Sequence, residues 1–339
     1  MRLGFVLLFQ VGHIDERYGG YMIQCSDPIK PSILITGGCG FIGANLIHVL
    51  SNLDYNIKVL DDLSTGVIDR ISKYNIEFFE GSLLDDDLLL KSLTEVDLVI
   101  HLAAKKSVFE SQENPTYYHQ QNVQGTNRLI DVMSQLSISN LIFASTAAVY
   151  APCNNKISEQ APLGPMSTYG ETKVQNEIDI FATQSIEMNS VIFRFANVLG
   201  SVNGLIDING SNLLMKSISR TNNGLPLEIY GADYETPDGT CVRDFIHVAD
   251  LVEAIVIQIE MGLAKGSRVF NLGTGLGTSV QSFLKAYSQI VNDQEIVIRP
   301  RQDGDLPFSV LDSSMFQSLT RWRPHRDIVD MIKSSIVLS

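Results

Sequence analysis

The 339-residue chain is predicted to fold as an α/β protein, with a doubly wound parallel sheet and a smaller mixed α/β domain. In the first half, short β-rich runs alternate with helix-length stretches, which is the pattern of a parallel sheet. Several of the runs are apolar at consecutive positions, as strands buried on both faces are. After Phe195 the alternation gives way to segments rich in Gly, Asn and Asp before regular structure returns. We therefore expect a second domain inserted into and appended to the first.

Composition restricts the class of protein. Apolar residues make up 45% and charged residues 19%, as in a soluble globular protein. The net charge of −13 argues against a nucleic-acid partner, which needs clustered Lys and Arg. No apolar run is long enough to span a membrane. The four cysteines have no C-x-x-C spacing, which favours free thiols in a reducing, cytoplasmic compartment with neither a metal site nor disulfides. They are Cys25, Cys39, Cys153 and Cys241.

The first thirty residues fall outside this pattern. The segment MRLGFVLLFQVG superficially resembles a signal peptide, but no A-x-A-like cleavage site follows it. We interpret residues 1–30 as a loosely attached extension or an over-extended start, with Met22 as a second candidate initiator.

Six runs are predicted as strands, and two helix-length stretches stand out between and after them. Ligands of such sheets bind at the carboxyl ends of the strands. The predicted strands are Ser32–Thr36, Ile57–Asp61, Ile76–Phe79, Asp97–His101, Leu141–Ser145 and Ser190–Phe195, and the predicted helices are Asn122–Leu136 and Tyr169–Glu187.

A glycine-rich loop follows the first strand and opens a helix. Its glycines allow a tight turn and let backbone N–H groups approach a pyrophosphate, as in a Rossmann-like dinucleotide site. Asp61 closes the second strand and is followed by Asp62. A carboxylate there accepts from the adenine ribose 2′-hydroxyl and repels a 2′-phosphate, so NAD is favoured over NADP. The alternative is a tight strand–helix turn that binds nothing. The predicted cofactor-binding residues of the loop are Gly37, Gly40, Phe41, Ile42 and Gly43.

The stretch STYGETK contains a candidate base. Thr168 and Glu171 have the spacing of a capping box, which predicts a helix beginning there. Tyr169 and Lys173 would then share one face, one turn apart. A lysine ammonium ~4 Å away, at an effective dielectric near 20, contributes roughly 4 kcal/mol, enough to bring a tyrosine pKa from about 10 towards 7. The alternative is an ordinary surface pair.

These motifs together resemble a known family. G-x-x-G-x-x-G with Tyr169-x-x-x-Lys173 resembles the extended short-chain dehydrogenases/reductases, and YGADYETPDGTCVRDFIHVADL is similar to UDP-glucose/UDP-galactose 4-epimerases. HLAAKKSVFES, NVQGT, FASTAAVY, GSNLL and GDLPFSVLD match in the same order, from about Ser32 to the C-terminus. Related 4,6-dehydratases carry Asp-Glu where this chain has Ala147 and Ala148, so the resemblance favours epimerisation.

The resemblance implies residue roles. Thr146 would hydrogen-bond the sugar O4, although a strand-end threonine satisfying backbone is the alternative. Tyr169 would remove the O4 proton, while Lys173 would hold the nicotinamide ribose of a permanently bound NAD. Lys173 and the cofactor's charge would lower the phenol pKa together. Lys106 and Asn122 match positions lining the cofactor cleft, or are surface residues. The residues implied for the UDP-sugar are Thr146, Asn197, Asn212, Tyr230, Arg243, Arg301 and Ser309.

Some positions depart from the family pattern. Ser82 follows Gly81 where the family has Asp, and Gln302 stands where it has Arg. Either Arg301 reaches the diphosphate instead, or one contact is missing. Phe195 and Ala196 replace a more usual aromatic pair ahead of Asn197.

Two substrate positions carry alternatives of their own. Arg243, implied for the diphosphate, could instead pair with Asp244 or Asp238. Ser309 replaces a bulky Tyr and leaves room for an N-acetyl group.

The resemblance implies a UDP-hexose 4-epimerase, acting as a homodimer on UDP-glucose and UDP-galactose and also on their N-acetylated counterparts. The alternatives are another nucleotide-sugar enzyme, such as a UDP-glucuronate epimerase or decarboxylase, and a catalytically silent NAD-binding regulator. The predicted domains are an extension at 1–30, an NAD-binding domain at 31–196 plus 242–273, and a UDP-sugar-binding domain at 197–241 plus 274–339.

Overall fold

The computed structural model describes residues 30–183, 187–208, 210, 212–291, 293–302 and 304–336. The strands are β1 (Ser32–Thr36), β2 (Asn56–Asp61), β3 (Glu77–Glu80), β4 (Leu98–His101), β5 (Asn140–Thr146), β6 (Asn189–Phe195), β7 (Asn197–Leu199), β8 (Leu227–Tyr230), β9 (Val242–His247), β10 (Ser267–Leu272), β11 (Gly277–Ser279), β12 (Ile296–Arg299) and β13 (Phe308–Ser309).

The helices are α1 (Phe41–Asn52), α2 (Asp86–Leu93), α3 (Val108–Glu113), α4 (Pro115–Tyr118), α5 (Gly125–Gln135), α6 (Thr168–Ala182), α7 (Leu213–Asn222), α8 (Val248–Met261), α9 (Val280–Ile290), α10 (Ser314–Leu319) and α11 (Ile328–Ile336). Short 3₁₀ helices cover Ile68–Arg70 and Ala147–Val149, and a π-helix covers His119–Gln124.

Seven strands in the described part of the chain form one parallel sheet, in the order β3-β2-β1-β4-β5-β6-β10. The chain runs outward from β1 to β3 and then returns to β4, so the order reverses between β1 and β4. At this switch point Thr36 pairs with Leu60 on one side and with His101 on the other. The doubly wound prediction is confirmed, and the reversal creates the crevice where such sheets bind ligands.

Alternating side chains of β1 explain why helices cover both faces of the sheet. Ile33 and Ile35 belong to a buried cluster that includes α1 and α8, whereas Leu34 belongs to one that includes α2 and α5. All five residues of β1 are buried. Each fully buried aliphatic side chain of this kind contributes roughly 1.5–3 kcal/mol, so the central strand holds the two layers together.

A second region surrounds β9. This strand pairs with β7, β11 and β13, while β8 and β12 form a separate parallel pair. A third buried cluster, which includes Leu227, Phe245 and Phe283, lies beneath these strands. The predicted domain division assigns residues 242–273 to the NAD-binding domain. Of these residues, β9 pairs with strands of the second region. Strand β10 pairs with β6 of the main sheet.

The predicted strands agree with the observed ones to within one residue at each end. The predicted helix Asn122–Leu136 in fact begins earlier, with the π-helix at His119. Helix α6 ends at Ala182, short of the predicted Glu187, and residues 184–186 lie outside the described residues. The N-terminal cap of α6 also differs from the prediction. The hydroxyl of Ser167, and not that of Thr168, accepts the N–H of Gly170 in the first turn at 3.1 Å.

Two further predictions concern the N-terminus and the cysteines. The extension at 1–30 lies outside the described residues except for its last residue, and Cys25 lies outside them with it. The other three cysteines, Cys39, Cys153 and Cys241, are free thiols.

Candidate active site

The glycine-rich loop lies between β1 and α1 at the switch point. Gly37 has a φ of +71°, and a Cβ there would lie 2.7 Å from the Ala103 nitrogen after β4. A Cβ at Gly43 would lie 2.4 Å from the Gly37 carbonyl oxygen, so α1 can pack onto the turn only through a glycine. Gly40 precedes the first residue of α1 in extended backbone. The loop therefore presents a backbone-lined helix N-terminus, which suits a dinucleotide pyrophosphate.

Asp61 closes β2 beside this loop, as predicted. Its Oδ2 accepts the N–H of Cys39 and its Oδ1 accepts the N–H of Leu63, both at 2.9 Å. Burial raises the pKa of the carboxyl group, and these two backbone donors act in the opposite direction. Each carboxylate oxygen keeps a further lone pair, so the side chain can brace the loop and still accept from a ribose hydroxyl. Asp62 instead accepts from Ser64.

The three predicted catalytic residues come together at the end of β5. Thr146 is the last residue of this strand, and its hydroxyl accepts the N–H of Ala148 at 3.2 Å, as in the backbone-capping alternative. The same side chain acts to lower the pKa of the Tyr169 phenol, which lies in the first turn of α6. Lys173 lies one turn further along and donates to the Ala144 carbonyl at 2.8 Å. Its Nζ lies 4.6 Å from the centroid of the Phe143 ring. Strand β5 thus holds both residues, since Thr146 belongs to it and Lys173 donates to its Ala144 carbonyl.

The electrostatics of this pair differ from the sequence prediction. Burial raises the pKa of Tyr169 to about 12, although the Thr146 side chain opposes the rise. Burial also lowers the pKa of Lys173 to about 7. The prediction that Lys173 alone brings the phenol pKa towards 7 is therefore wrong for the protein by itself. Burial disfavours the charged form of each group, so it raises the pKa of the phenol and lowers that of the amine.

Asn122 is buried, which excludes the surface alternative. Its Oδ1 accepts the N–H of Lys105 at 2.8 Å, and its Nδ2 donates to the carbonyl of Lys105 and to the hydroxyl of Thr172. The loop after β4 is thereby joined to α6 at Thr172, next to Lys173. Lys106, whose side chain is 56% exposed, pairs with Asp207 at 2.9 Å, and its role in the cofactor cleft stays a prediction. Its neighbour Lys105, which sequence reasoning missed, lies 3.5 Å from Asp62 beside the predicted adenine side.

Arg243 and Ser309 are neighbours in the second region, facing each other across β9 and β13. Arg243 donates to the Leu306 carbonyl at 2.5 Å and pairs with Asp305 at 3.2 Å. The alternative that Arg243 pairs with Asp244 is wrong, because that carboxylate accepts from Thr274, Gly275 and Leu311.

Asp238, the other alternative partner of Arg243, is also engaged elsewhere. It accepts from Thr240 and Ser279. Arg243 and Ser309, the positions predicted for the diphosphate and the sugar, are thus neighbours through the pairing of β9 with β13.

The remaining predicted substrate residues are less closely gathered. Arg301 is half-exposed, pairs with Asp233 at 2.7 Å and stacks on the Tyr234 ring at 4.1 Å. Gln302 is exposed. Arg301 is thus engaged by Asp233 and Tyr234, and both alternatives for the diphosphate contact stay predictions.

Three more predicted positions use their polar atoms locally. Tyr230 donates to Glu228 at 2.8 Å, and Asn212 caps α7 by accepting from Met215. Asn197 is exposed and donates to the Asp244 carbonyl at 3.0 Å. At Ser82, which stands where the family has Asp, the hydroxyl accepts the N–H of Leu84 and the carbonyl accepts that of Asp85.

Sequence reasoning missed a buried polar group around Glu177, one helical turn after Lys173 on α6. Glu177 pairs with Arg194 at 2.6 Å, and Ser145 donates to the same carboxylate at 2.5 Å. His101 lies nearby between two threonines, and burial lowers its pKa to about 3. A signal did exist for Glu177, because it follows Lys173 by four residues and so shares its helix face.

The sequence predicts neither a metal site nor a membrane-spanning segment. Asp250, Glu253 and His325 lie close enough to share an ion, but Arg326 already donates to Asp250. None of the helices in the described ranges has the length and apolar character needed to cross a membrane.

The fold, the glycine-rich loop and the Thr–Tyr–Lys cluster define a nucleotide-cofactor enzyme of the extended short-chain dehydrogenase/reductase class. The chain belongs to the NAD dependent epimerase/dehydratase family, whose sequence profile matches residues 33–273. This confirms the resemblance seen in the sequence, and with it the expectation of an NAD-dependent epimerase.

Individual relatives agree with this assignment. A UDP-glucose 4-epimerase of Bacillus subtilis (strain 168) is 34% identical over 324 residues, which cover 90% of this chain and 95% of the relative. The crystal structure of the Bifidobacterium longum UDP-glucose 4-epimerase with NAD+ and UDP superposes with a TM-score of 0.84 at 31% identity, covering 90% and 97% of the two chains. The Campylobacter jejuni UDP-Glc/GlcNAc 4-epimerase gives 0.78 at 33% identity, covering 90% and 98%.

Proposed function

We propose that the protein is a UDP-hexose 4-epimerase that interconverts UDP-glucose and UDP-galactose. The observation that carries this proposal is the placement of Thr146 at the end of β5, Tyr169 in the first turn of α6, and Lys173 one turn further on and bonded to β5. This cluster lies at the carboxyl edge of a sheet whose switch point carries a dinucleotide loop. Relatives of similar length are UDP-glucose 4-epimerases, which supplies the substrate class.

The residues around the loop fit NAD. Backbone N–H groups at the start of α1 would receive the pyrophosphate, and Asp61 would accept from the adenine ribose. Lys173 would hold the nicotinamide ribose through a donor that the Ala144 carbonyl leaves free. When bound, NAD would supply a reversible hydride acceptor for the sugar C4.

Tyr169 would act as the proton carrier at the sugar O4. Its phenolate removes the hydroxyl proton as C4 is oxidised, and the phenol gives that proton back when the alcohol forms again. Thr146 would orient O4 between itself and the phenol. The pKa of about 12 shows that the protein alone keeps this phenol protonated, so deprotonation near neutrality requires cationic neighbours. Protonated Lys173 and the positive nicotinamide of NAD+ are those neighbours.

The second region would bind the nucleotide. Arg243 has the fixed fork that suits bidentate recognition of a diphosphate, and its present partner Asp305 is partly exposed. Asn197 and Asn212 would contact the diphosphate and its surroundings, while Tyr230 would lie beside the uracil. The side chains of Ala147 and Ala148, after the catalytic threonine, provide no acid for water elimination, which favours epimerisation over dehydration.

The decisive experiment is product analysis with purified protein. It should be incubated separately with UDP-glucose, UDP-galactose and UDP-glucuronate, and the products resolved by sugar. We expect equilibration of the first two in both directions and no reaction of the third. Reaction with UDP-glucuronate alone would favour the uronate alternative, whereas bound NAD with no turnover would favour the silent regulator.

A second substrate class follows from Ser309, which lies beside Arg243 in the strand register. A small side chain there leaves space for an N-acetyl group, and UDP-Glc/GlcNAc and UDP-N-acetylglucosamine 4-epimerases are among the structural relatives. We expect S309Y to abolish activity on UDP-GlcNAc and UDP-GalNAc while sparing UDP-glucose and UDP-galactose. Equal loss on both classes would overturn this assignment.

We also propose that the protein is a homodimer. Ile178 and Phe181 on α6 have exposed fractions of 52% and 38%, which supports an apolar contact through this helix. Sedimentation analysis should give twice the chain mass of 37.5 kDa, and a monomer would contradict it.

A further inference from the structure

Lys173 occupies a site that does not favour a cation. Its exposed fraction is 2%, and the Ala144 carbonyl at 2.8 Å is the acceptor that the described residues give its amine. Burial lowers its pKa to about 7, so the amine stands close to losing its proton under neutral conditions. The proposed role of this residue needs a positive charge, and the structure should therefore contain a feature that protects it.

Glu177 is the acid positioned to do so. It follows Lys173 by one turn of α6, is 2% exposed, and its negative charge raises the pKa of the amine against the effect of burial. Three other titratable groups lie on the elements around this amine. His101 on β4 interacts with it and is kept neutral by burial, Tyr169 precedes it by one turn of α6, and Arg194 on β6 is paired with Glu177. Among these groups, Glu177 is the one that can supply a negative charge at neutral pH.

The carboxylate is held by both neighbouring strands. Arg194 donates to Oε1 through Nε at 3.0 Å and to Oε2 through Nη2 at 2.6 Å, and Ser145 donates to Oε1 at 2.5 Å. A buried ion pair of this kind contributes little net stability compared with well-packed apolar residues. Stability alone therefore gives no strong reason to place a fixed carboxylate one turn from a catalytic amine.

We infer that Glu177, held by Arg194 and Ser145, is a positioning residue that keeps the amine of Lys173 protonated and fixed beside the phenol of Tyr169. The inference deepens the proposed function and rests on it for the use made of the charge. The protonation of Lys173, however, is a property of the protein that can be measured without any sugar.

The test is a titration of protein labelled with [13Cε]lysine, followed by NMR, with the Lys173 signal assigned by its absence in K173M. We expect E177Q to lower the pKa of Lys173 by about one unit or more. D179N removes a charge from the same helix outside this polar group and should leave the titration unchanged. Because E177Q leaves a buried arginine unpaired, R194M and the double variant E177Q/R194M complete the comparison. The pKa should be lower in the double variant than in R194M, which isolates the effect of Glu177.

Turnover provides the second readout. In E177Q, loss of activity should grow as pH rises, about tenfold for each unit by which the Lys173 pKa falls, because the neutral amine then appears at lower pH. A purely structural role would reduce activity equally at every pH. An unchanged Lys173 pKa in both E177Q and the double variant overturns the inference. If the pKa shifts but wild-type protein epimerises no UDP-sugar, the proposed function fails and the role of Glu177 in protonation stands.

Discussion

The two halves of the proposed site are built differently. Around β5 and α6, the proposed catalytic residue Lys173 and its positioning residue Glu177 are each 2% exposed and bonded to the sheet. Around β9, the predicted substrate residues are more exposed and are held by carboxylates, as in the pairs Arg243–Asp305 and Arg301–Asp233. We therefore propose that the chemical centre is preorganised by burial, whereas nucleotide binding exchanges the Arg243–Asp305 ion pair for a diphosphate.

The largest effect is expected from Y169F. Removing the hydroxyl removes the proton carrier, so turnover of UDP-galactose should fall by about 10³-fold. NAD should stay bound, because the glycine-rich loop and Lys173 are untouched. Turnover and NAD content after gel filtration test the two statements together. Turnover within a few-fold of wild type would remove Tyr169 from the role of base.

On the substrate side, R243M should raise the KM for UDP-sugars by about 10- to 100-fold, since charge-assisted hydrogen bonds contribute roughly 1.5–3 kcal/mol each. R301M is its matched control. Arg301 is half-exposed and already paired, so its loss should change KM by less than about threefold. Steady-state kinetics on both variants checks the ranking, and a larger effect for R301M would mean that Arg301 reaches the diphosphate.

An intermediate effect is expected at the end of β2. D61N removes the carboxylate that accepts from Cys39 and Leu63, and it should weaken NAD binding about tenfold. The preference for NAD over NADP should also shrink, because the negative charge that repels a 2′-phosphate is lost. Calorimetric titration of cofactor-stripped protein with both dinucleotides measures this ratio. An unchanged preference would place the discrimination elsewhere.

The smallest effect concerns acid stability. The folded protein keeps His101 neutral down to a pKa of about 3, whereas the unfolded chain takes up a proton near pH 6.5. The unfolded state therefore binds more protons between these values, so stability falls as pH drops below 6.5. At pH 5.5 the free energy of unfolding should be lower by about 1.4 kcal/mol, which corresponds to a Tm lower by roughly 2–4 °C. H101Q should lose less Tm than wild type between pH 7 and 5.5, whereas a variant of exposed His119 should not differ from wild type.

The parts of the fold that the sequence predicts are those determined by local pattern. Ile33, Leu34 and Ile35 of β1 are apolar at consecutive positions because both faces of the sheet are covered, and Asp61 lies at a fixed place after the loop. The pairing of Arg194 with Glu177 could not be predicted in the same way, since the partners are 17 residues apart and meet only through the packing of α6 on β6. The partners of Arg301 depend on a loop conformation that residue spacing does not encode.

The prediction for Tyr169 shows where simple electrostatics fails. Spacing placed a lysine one turn away, and Coulomb attraction at a uniform dielectric then suggested a phenol pKa near 7. In the structure, burial raises the phenol pKa and lowers that of the amine, so both groups approach their neutral forms. The sequence identified the two residues, but the depth at which they lie depends on tertiary packing.

The central claim is that the phenol of Tyr169 becomes a base only when cationic neighbours offset its burial. The most direct measurement is the ultraviolet difference absorbance of its phenolate, taken across pH on the NAD+ complex and on cofactor-stripped protein, with Y169F as the blank. We predict a high pKa near 12 without cofactor and one several units lower, close to neutrality, with NAD+ bound. A phenol pKa that stays high in the NAD+ complex would contradict the account.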